Sequence, residues 1–228
     1  MTTVQDPGVY WAEGEVEAAV DTLLSGGLLL AKGDIGYGLF GTSEDAIRRM
    51  YALKGRPYAN PCIFIGDLGV LDEVALVDDD RIRRWVADLA AWTTCAVVLP
   101  ERPGSPMVAG MDPWVRSQSV TNGTLAIFLR CGGYLEQVVA RTREAGVAIV
   151  GSSANRSSEG NRFRPEELPP EFLEGADLFV EHGDAALAND ERKATTIVNL
   201  ANWSIKRMGV NGERIAADFA ALKAEVGA

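Results

Sequence analysis

Apolar runs of three to six residues, rich in Val, Ile, Leu and Cys, alternate along the chain with longer segments in which apolar side chains recur every three or four positions. The short runs predict buried strands at 28–31, 62–65, 95–99, 125–129, 147–150, 178–180 and 195–200. The longer segments predict helices at 15–24, 44–54, 80–91, 134–144 and 215–226. Thr42 or Ser43 offers a hydroxyl cap to the second helix, and Gly26 and Gly146 close the first and fourth. Strands alternating with helices predict an α/β fold with a mostly buried sheet. No repeat, low-complexity tract or Pro/Gly/Ser linker divides the chain, so one domain over 1–228 is expected. Two stretches read as loops: 100–123, with prolines and glycines ahead of a polar half, and the segment from Ser157 onward. Loops of that length in a compact protein are more often functional than idle.

The 228 residues suffice to bury a core without disulfides or metals. No apolar run reaches the 18 or so residues of a membrane span, and 1–17 carries acids where a signal peptide would be basic and apolar, so a cytoplasmic protein is expected. Cys62, Cys95 and Cys131, an odd number set in or beside apolar runs, read as reduced core thiols. One histidine, His182, leaves no Cys/His zinc site and little room for a hydrolase with a histidine base. The net charge of -10 argues at first against anionic ligands, but -8 of it falls in 157–191. The rest of the chain is nearly neutral and compatible with a basic pocket, while the acids read as a solvated surface segment.

Three clusters carry candidate chemistry. Lys54-Gly55-Arg56-Pro57, with Asn60-Pro61 beyond, sits where a helix ends and a strand begins. Its cations suit a helix C-terminus, and they equally suit phosphate oxygens, Arg as a planar fork and Lys as a point charge. Gly151-Ser152-Ser153-Ala154-Asn155 follows an apolar strand, where small hydroxyls and an Asn serve either a turn or a phosphate or ribose. Thr195-Thr196 opens the last predicted strand, with Lys206 and Arg207 just beyond.

In this order the clusters resemble a known family. Tyr37-Gly38-Leu39, Lys54-x-Arg56-Pro57-x-x-x-Pro61, Ser153-Ala154-Asn155, Thr195-Thr196-Ile197-Val198 and Arg207 ahead of a glycine are similar to the YrdC-like threonylcarbamoyl-AMP synthases over residues 13–210, with a C-terminal helix at about 213–226. The resemblance implies an open twisted α/β sheet with flanking helices around a large concave cavity. It also implies a nucleotidyltransferase that joins ATP, bicarbonate and an amino acid into a carbamoyl adenylate, with Mg²⁺ and release of pyrophosphate. The product would pass to a transfer protein, so that tRNA is only an indirect partner. Carried over by position, Lys54 and Arg56 are catalytic, and Lys54, Arg56, Ser153, Asn155, Thr195, Thr196 and Arg207 hold the nucleotide. Lys32, Asp34, Tyr37, Arg130 and Ser152 fall on the substrate side. Fixed cations and a metal would neutralise the leaving pyrophosphate without a histidine base.

The departures are local. The family's Pro-Thr-Asp-Thr-x-Tyr stretch is Lys32-Gly33-Asp34-Ile35-Gly36-Tyr37 here, without either threonine, and Phe128 replaces an arginine. The Pro-Gly-Pro-x-Thr element after the third helix is missing as well. Strand alternation places Arg130 on the face of Phe128, about 7 Å along, offering its charge to the same cavity. The nucleotide elements are kept and the amino-acid side is altered, which points to an acceptor other than threonine. The rival readings are a domain that makes a carbamoyl adenylate from carbamoyl phosphate, or a homologue that only binds nucleotide or RNA.

Overall fold

The computed structural model describes residues 11–228; the first ten, part of the stretch read above as too acidic for a signal peptide, lie outside them. In chain order the elements are α1 (Glu15–Leu24), β1 (Leu29–Gly33), β2 (Gly36–Gly41), α2 (Glu44–Lys54), β3 (Ile63–Ile65), α3 (Leu68–Val74), α4 (Asp80–Trp92) and β4 (Cys95–Pro100). There follow α5 (Pro106–Ala109), α6 (Pro113–Ser119), β5 (Val120–Thr121), β6 (Thr124–Leu129), α7 (Gly133–Glu144) and β7 (Ile149–Ser153). A 3₁₀ turn (Pro165–Glu167), α8 (Pro170–Gly175), β8 (Leu178–Val180), β9 (Ile197–Asn199), β10 (Ser204–Arg207) and α9 (Gly212–Val226) complete the chain. All ten strands join one open sheet in the order β10-β9-β4-β6-β3-β7-β2-β1-β8, with β5 paired to β6. Parallel pairing joins β3 to β6, β4 to β9 and β1 to β8, and the other pairs are antiparallel. The α/β class and the open sheet are as expected.

The start and stop signals act as expected. Ser43 Oγ accepts the Ala46 N–H at the head of α2, and Gly26 and Gly146 take the left-handed backbone that follows a helix. The stretch 100–123 is not a loop. Pro106 and Pro113 stand in the first turns of α5 and α6, where a missing N–H costs nothing, behind the capping side chains of Ser105 and Asp112. Prolines read as breakers therefore act as openers. β2 escaped detection because three of its six residues are glycine, a poor strand former. Gly36 is needed there: its φ is 125°, and a Cβ would lie 2.7 Å from the Arg162 carbonyl oxygen.

The core is continuous around the sheet. Leu28 to Leu30, Phe64, Ile127, Leu129 and Val150 are fully buried, as are the free thiols of Cys62, Cys95 and Cys131. Each such aliphatic or aromatic side chain contributes about 1.5–3 kcal/mol of transfer free energy. Helix α1 packs on α7, and α4 on α9. Among the described residues no helix is long and apolar enough to cross a membrane.

The acidic segment is more than a solvated face. Asp177 pairs with Arg49 at 2.5 Å and accepts the Leu28 N–H at 2.6 Å, tying the head of β8 to that of β1. The Arg49 partnership holds the Asp177 carboxyl below its usual pKa despite some burial. Glu159, Glu167, Glu171 and Asp184 each meet an arginine. His182 has a structural neighbour as well, its Nε2 lying 3.0 Å from a Glu15 carboxylate oxygen.

Candidate functional site

Side chains alternate across strands, so every second residue of β9, β4, β6, β3, β7 and β2 faces the same side of the sheet. That face encloses a cavity of about 440 Å³. Register places Val98 against Ala126, Phe128 against Ile65 and Ile63 against Gly151 on its floor.

Three cations line the cavity: Arg56 from the loop after α2, and Lys206 and Arg207 from β10. Arg56 is oriented by donating from Nε to the Asn60 carbonyl at 3.2 Å and from Nη2 to that of Pro61 at 2.9 Å. Arg207 donates from Nε to the Thr195 carbonyl at 2.9 Å. Of five N–H groups on each guanidinium, these bonds use two and one. Arg207 is exposed at the cavity, and desolvation by the surrounding protein first, then the charge of Arg56, lowers its pKa. No Asp or Glu lines the cavity, and none of the three cations has an ion-pair partner among the described residues. Most arginines elsewhere have a carboxylate partner, so this cluster carries repulsion that an anion would offset. Ser153 and Thr195 line the same wall, as does the adjoining Ser152.

Lys54 sits behind that wall rather than in it. The side chain is 2% exposed, and its Nζ donates to the backbone carbonyls of Ser153 and of Asn155, the latter at 2.7 Å. Burial, then the Arg56 charge, pushes its pKa down to about 7. A neutral amine has two N–H groups, matching those two carbonyls. Lys54 thus clamps the Ser-Ala-Asn turn to the end of α2. Asn155, also buried, donates from Nδ2 to the Arg156 carbonyl and does not line the cavity, while its Oδ1 is buried without a hydrogen-bond partner among the described residues.

Thr195 and Thr196 divide by alternation: Thr195 lines the cavity, while the Thr196 hydroxyl donates to the Val210 carbonyl and accepts the Gly209 N–H. Thr196 therefore holds the chain end beyond β10. Gly209 is pressed so close that a Cβ would lie 2.0 Å from the Ala194 carbonyl oxygen. Gly209→Ala is expected to cost about 2–3 kcal/mol through this overpacking, and thermal unfolding of the variant checks it; an unchanged Tm would remove the close approach from the account.

On the substrate side the structure separates what proximity in sequence joined. Tyr37 lines the cavity, but its hydroxyl donates to the Gly183 carbonyl at 2.8 Å, and burial pushes its pKa up to about 12. It presents a ring wall and no base. Lys32 points elsewhere, its Nζ donating to the carbonyls of His182 and Asp184. Asp34 is a tie point, its N–H donating to the Cys131 carbonyl and its own carbonyl accepting from Leu187; neither it nor Lys32 lines the cavity. Arg130 does not share the face of Phe128, contrary to the expectation from strand alternation, because β6 stops at Leu129. Arg130 has φ 53°, is exposed, and donates to the Ala91 carbonyl at the end of α4.

Phe128, the departure from the family pattern, does line the cavity, as do Gly33 and Ile35 at the two lost threonine positions. Asn161, 4% exposed with Nδ2 donating to the Ile35 carbonyl at 2.8 Å, joins the wall from the acidic segment. It gave no signal in sequence, because it lies in a stretch whose charge reads as surface.

The donor set does not fit a protein-held Mg²⁺. No group of three or more His, Cys, Asp or Glu among the described residues is arranged to hold a metal, and the cavity wall has no carboxylate. No step below is assigned to a metal.

Residues 21–209 match the model of the Sua5/YciO/YrdC family, described as "Telomere recombination". No curated protein matches the sequence. Among solved structures, a hypothetical protein from Streptococcus mutans UA159 superposes with a TM-score of 0.77 at 16% identity, covering 94% of each chain. Sua5 from P. abyssi, solved with L-threonine, gives 0.72 at 18% identity over 92% of this chain and 59% of its own. Full-length HypF in a phosphate- and nucleotide-bound form gives 0.58 at 17% identity over 81% of this chain and 27% of its own. These likenesses show the fold, and the family match over most of the 228 residues shows that the chain belongs to the Sua5/YciO/YrdC family.

Proposed function

We propose that the chain binds ATP in this cavity and forms an N-carbamoyl-amino-acid adenylate, with an acceptor other than threonine. The observation that carries the reading is the group of cations Arg56, Lys206 and Arg207, without a lining carboxylate among the described residues and beside Ser153 and Thr195. In the reaction an amine and bicarbonate give a carbamate and water. A carbamate oxygen then attacks the α-phosphorus of ATP, and the bond to pyrophosphate breaks with its electron pair leaving on pyrophosphate. Both partners are anionic, so fixed cations lower the barrier by screening their approach and stabilising the leaving charge. Family membership supports the reading, as do the threonine bound to P. abyssi Sua5 and the nucleotide bound to HypF. Transfer of the carbamoyl group by a second protein, with tRNA as the distant target, fits the same family context.

The test is pyrophosphate release by the purified protein with ATP, Mg²⁺, bicarbonate and a panel of amino acids, with carbamoyl phosphate replacing bicarbonate in a parallel arm. Release that requires bicarbonate and an amine is expected. Release with carbamoyl phosphate alone transfers the assignment to the carbamoyl-phosphate reading, and no release together with no ATP binding overturns both.

A further inference from the structure

The two ends of the cavity differ in chemistry. Arg56 is tied to Pro61, four residues before Ile65 and so at most about 14 Å from it. Arg207 pairs with Ile197, Ile197 with Ala96, and Ala96 with Phe128, three strand spacings or about 14 Å. Ile65 and Phe128 are register partners, so both routes from the cations arrive at one place. There the wall is hydrocarbon. Ile65 and Phe128 line the cavity there, and Ile35 and Leu135 join them because the Asp34 N–H meets the Cys131 carbonyl three residues past Phe128; each of the four is 7% exposed or less and has no side-chain donor or acceptor, and the neighbouring Asn161 spends its Nδ2 on the Ile35 carbonyl.

We infer that this apolar end receives the side chain of the acceptor, which is therefore an amino acid with an aliphatic or aromatic side chain; the inference rests on the adenylate-forming reading above. The phosphates belong at Arg56 and Arg207, leaving the adenine and the acceptor as the groups to place. An adenine edge carries several acceptors and an amino donor, which four hydrocarbon side chains would leave unpaired. An aliphatic side chain has no polar group to lose and gains in proportion to the area buried. A hydroxyl placed there would lose its hydrogen bonds to water with nothing in return.

L-Valine and L-threonine are isosteres, so they isolate this effect. With ATP and bicarbonate fixed, kcat/KM for pyrophosphate release is expected to favour valine over threonine by on the order of 100-fold, as in other apolar pockets that exclude a hydroxyl. Phe128→Ser and, as a milder variant should that one not fold, Ile65→Thr are expected to raise KM for valine about tenfold while the Kd for ATP stays within about twofold. Preference for threonine, release with none of valine, leucine and phenylalanine, or equal loss of ATP and valine affinity in the variants overturns this inference and leaves ATP binding standing. A wild-type chain that binds no ATP overturns the underlying reading and the inference with it.

Discussion

Lys54→Met is expected to destabilise the fold by about 2–4 kcal/mol at pH 9, because Met fills the volume but leaves the carbonyls of Ser153 and Asn155 buried and unpaired, at about 1–3 kcal/mol each. The loss should depend on pH with a definite sign. The Lys54 pKa is lowered to about 7 in the folded chain, against 10.5 in the unfolded one. Between those values the unfolded chain binds the extra proton, so this group adds stability as pH rises from about 7 toward 10.5 and withdraws it as pH falls back. The difference in unfolding free energy between wild type and Lys54→Met should therefore grow with pH over that window. Denaturant unfolding at pH 6.5, 8 and 9.5 measures it. A difference that is flat or shrinks with pH would remove the buried amine from the account, and ATP affinity should weaken in the variant because the Ser153 turn loses its clamp.

Arg207→Ala is expected to do the reverse, with a large functional loss and little change in stability. Its guanidinium lies in the cavity, and charge-assisted hydrogen bonds of this kind are worth about 1.5–3 kcal/mol, so ATP affinity should fall roughly 10- to 150-fold. The folded chain loses one bond to the Thr195 carbonyl but is relieved of holding a partly desolvated cation near the charge of Arg56. These effects oppose one another, and Tm should move by no more than a few degrees. Arg207→Lys keeps the charge without the planar fork and should recover only part of the affinity. Calorimetric titration with ATP, paired with thermal unfolding, reads both quantities; unchanged ATP affinity in Arg207→Ala removes this residue from the nucleotide site.

The contrast between Lys54 and Arg207 shows how much of the site was legible. Both were singled out by type and spacing, and cations near a strand edge read as phosphate ligands. Which one reaches a ligand depends on which polar atoms lie within reach. Lys54 finds two backbone carbonyls from a turn about 100 residues away, a match that no local pattern carries. The Arg130 expectation failed for a local reason: alternation holds only while the backbone stays extended, and Arg130 turns left-handed just past the strand. Thr195 and Thr196, both expected at the nucleotide, separate into a residue that lines the cavity and a hydroxyl that holds the 209–210 backbone.

Local physics written in the chain was enough for the helices that carry both an apolar face and a cap, for the apolar strands and for the reduced thiols, because each depends on residues within one or two turns; the family needed only the order of short motifs along the chain. Strand β2 and the helices opened by Pro106 and Pro113 needed the surrounding structure, since glycine and proline take their meaning from what stands against them. The cavity's two-ended character belongs wholly to the tertiary level. Register across five strands sets Ile65 against Phe128 and carries Arg207 three strand spacings, about 14 Å, away. Sequence supplied the charges and the hydrocarbon; strand pairing decided that they face one another across a single cavity.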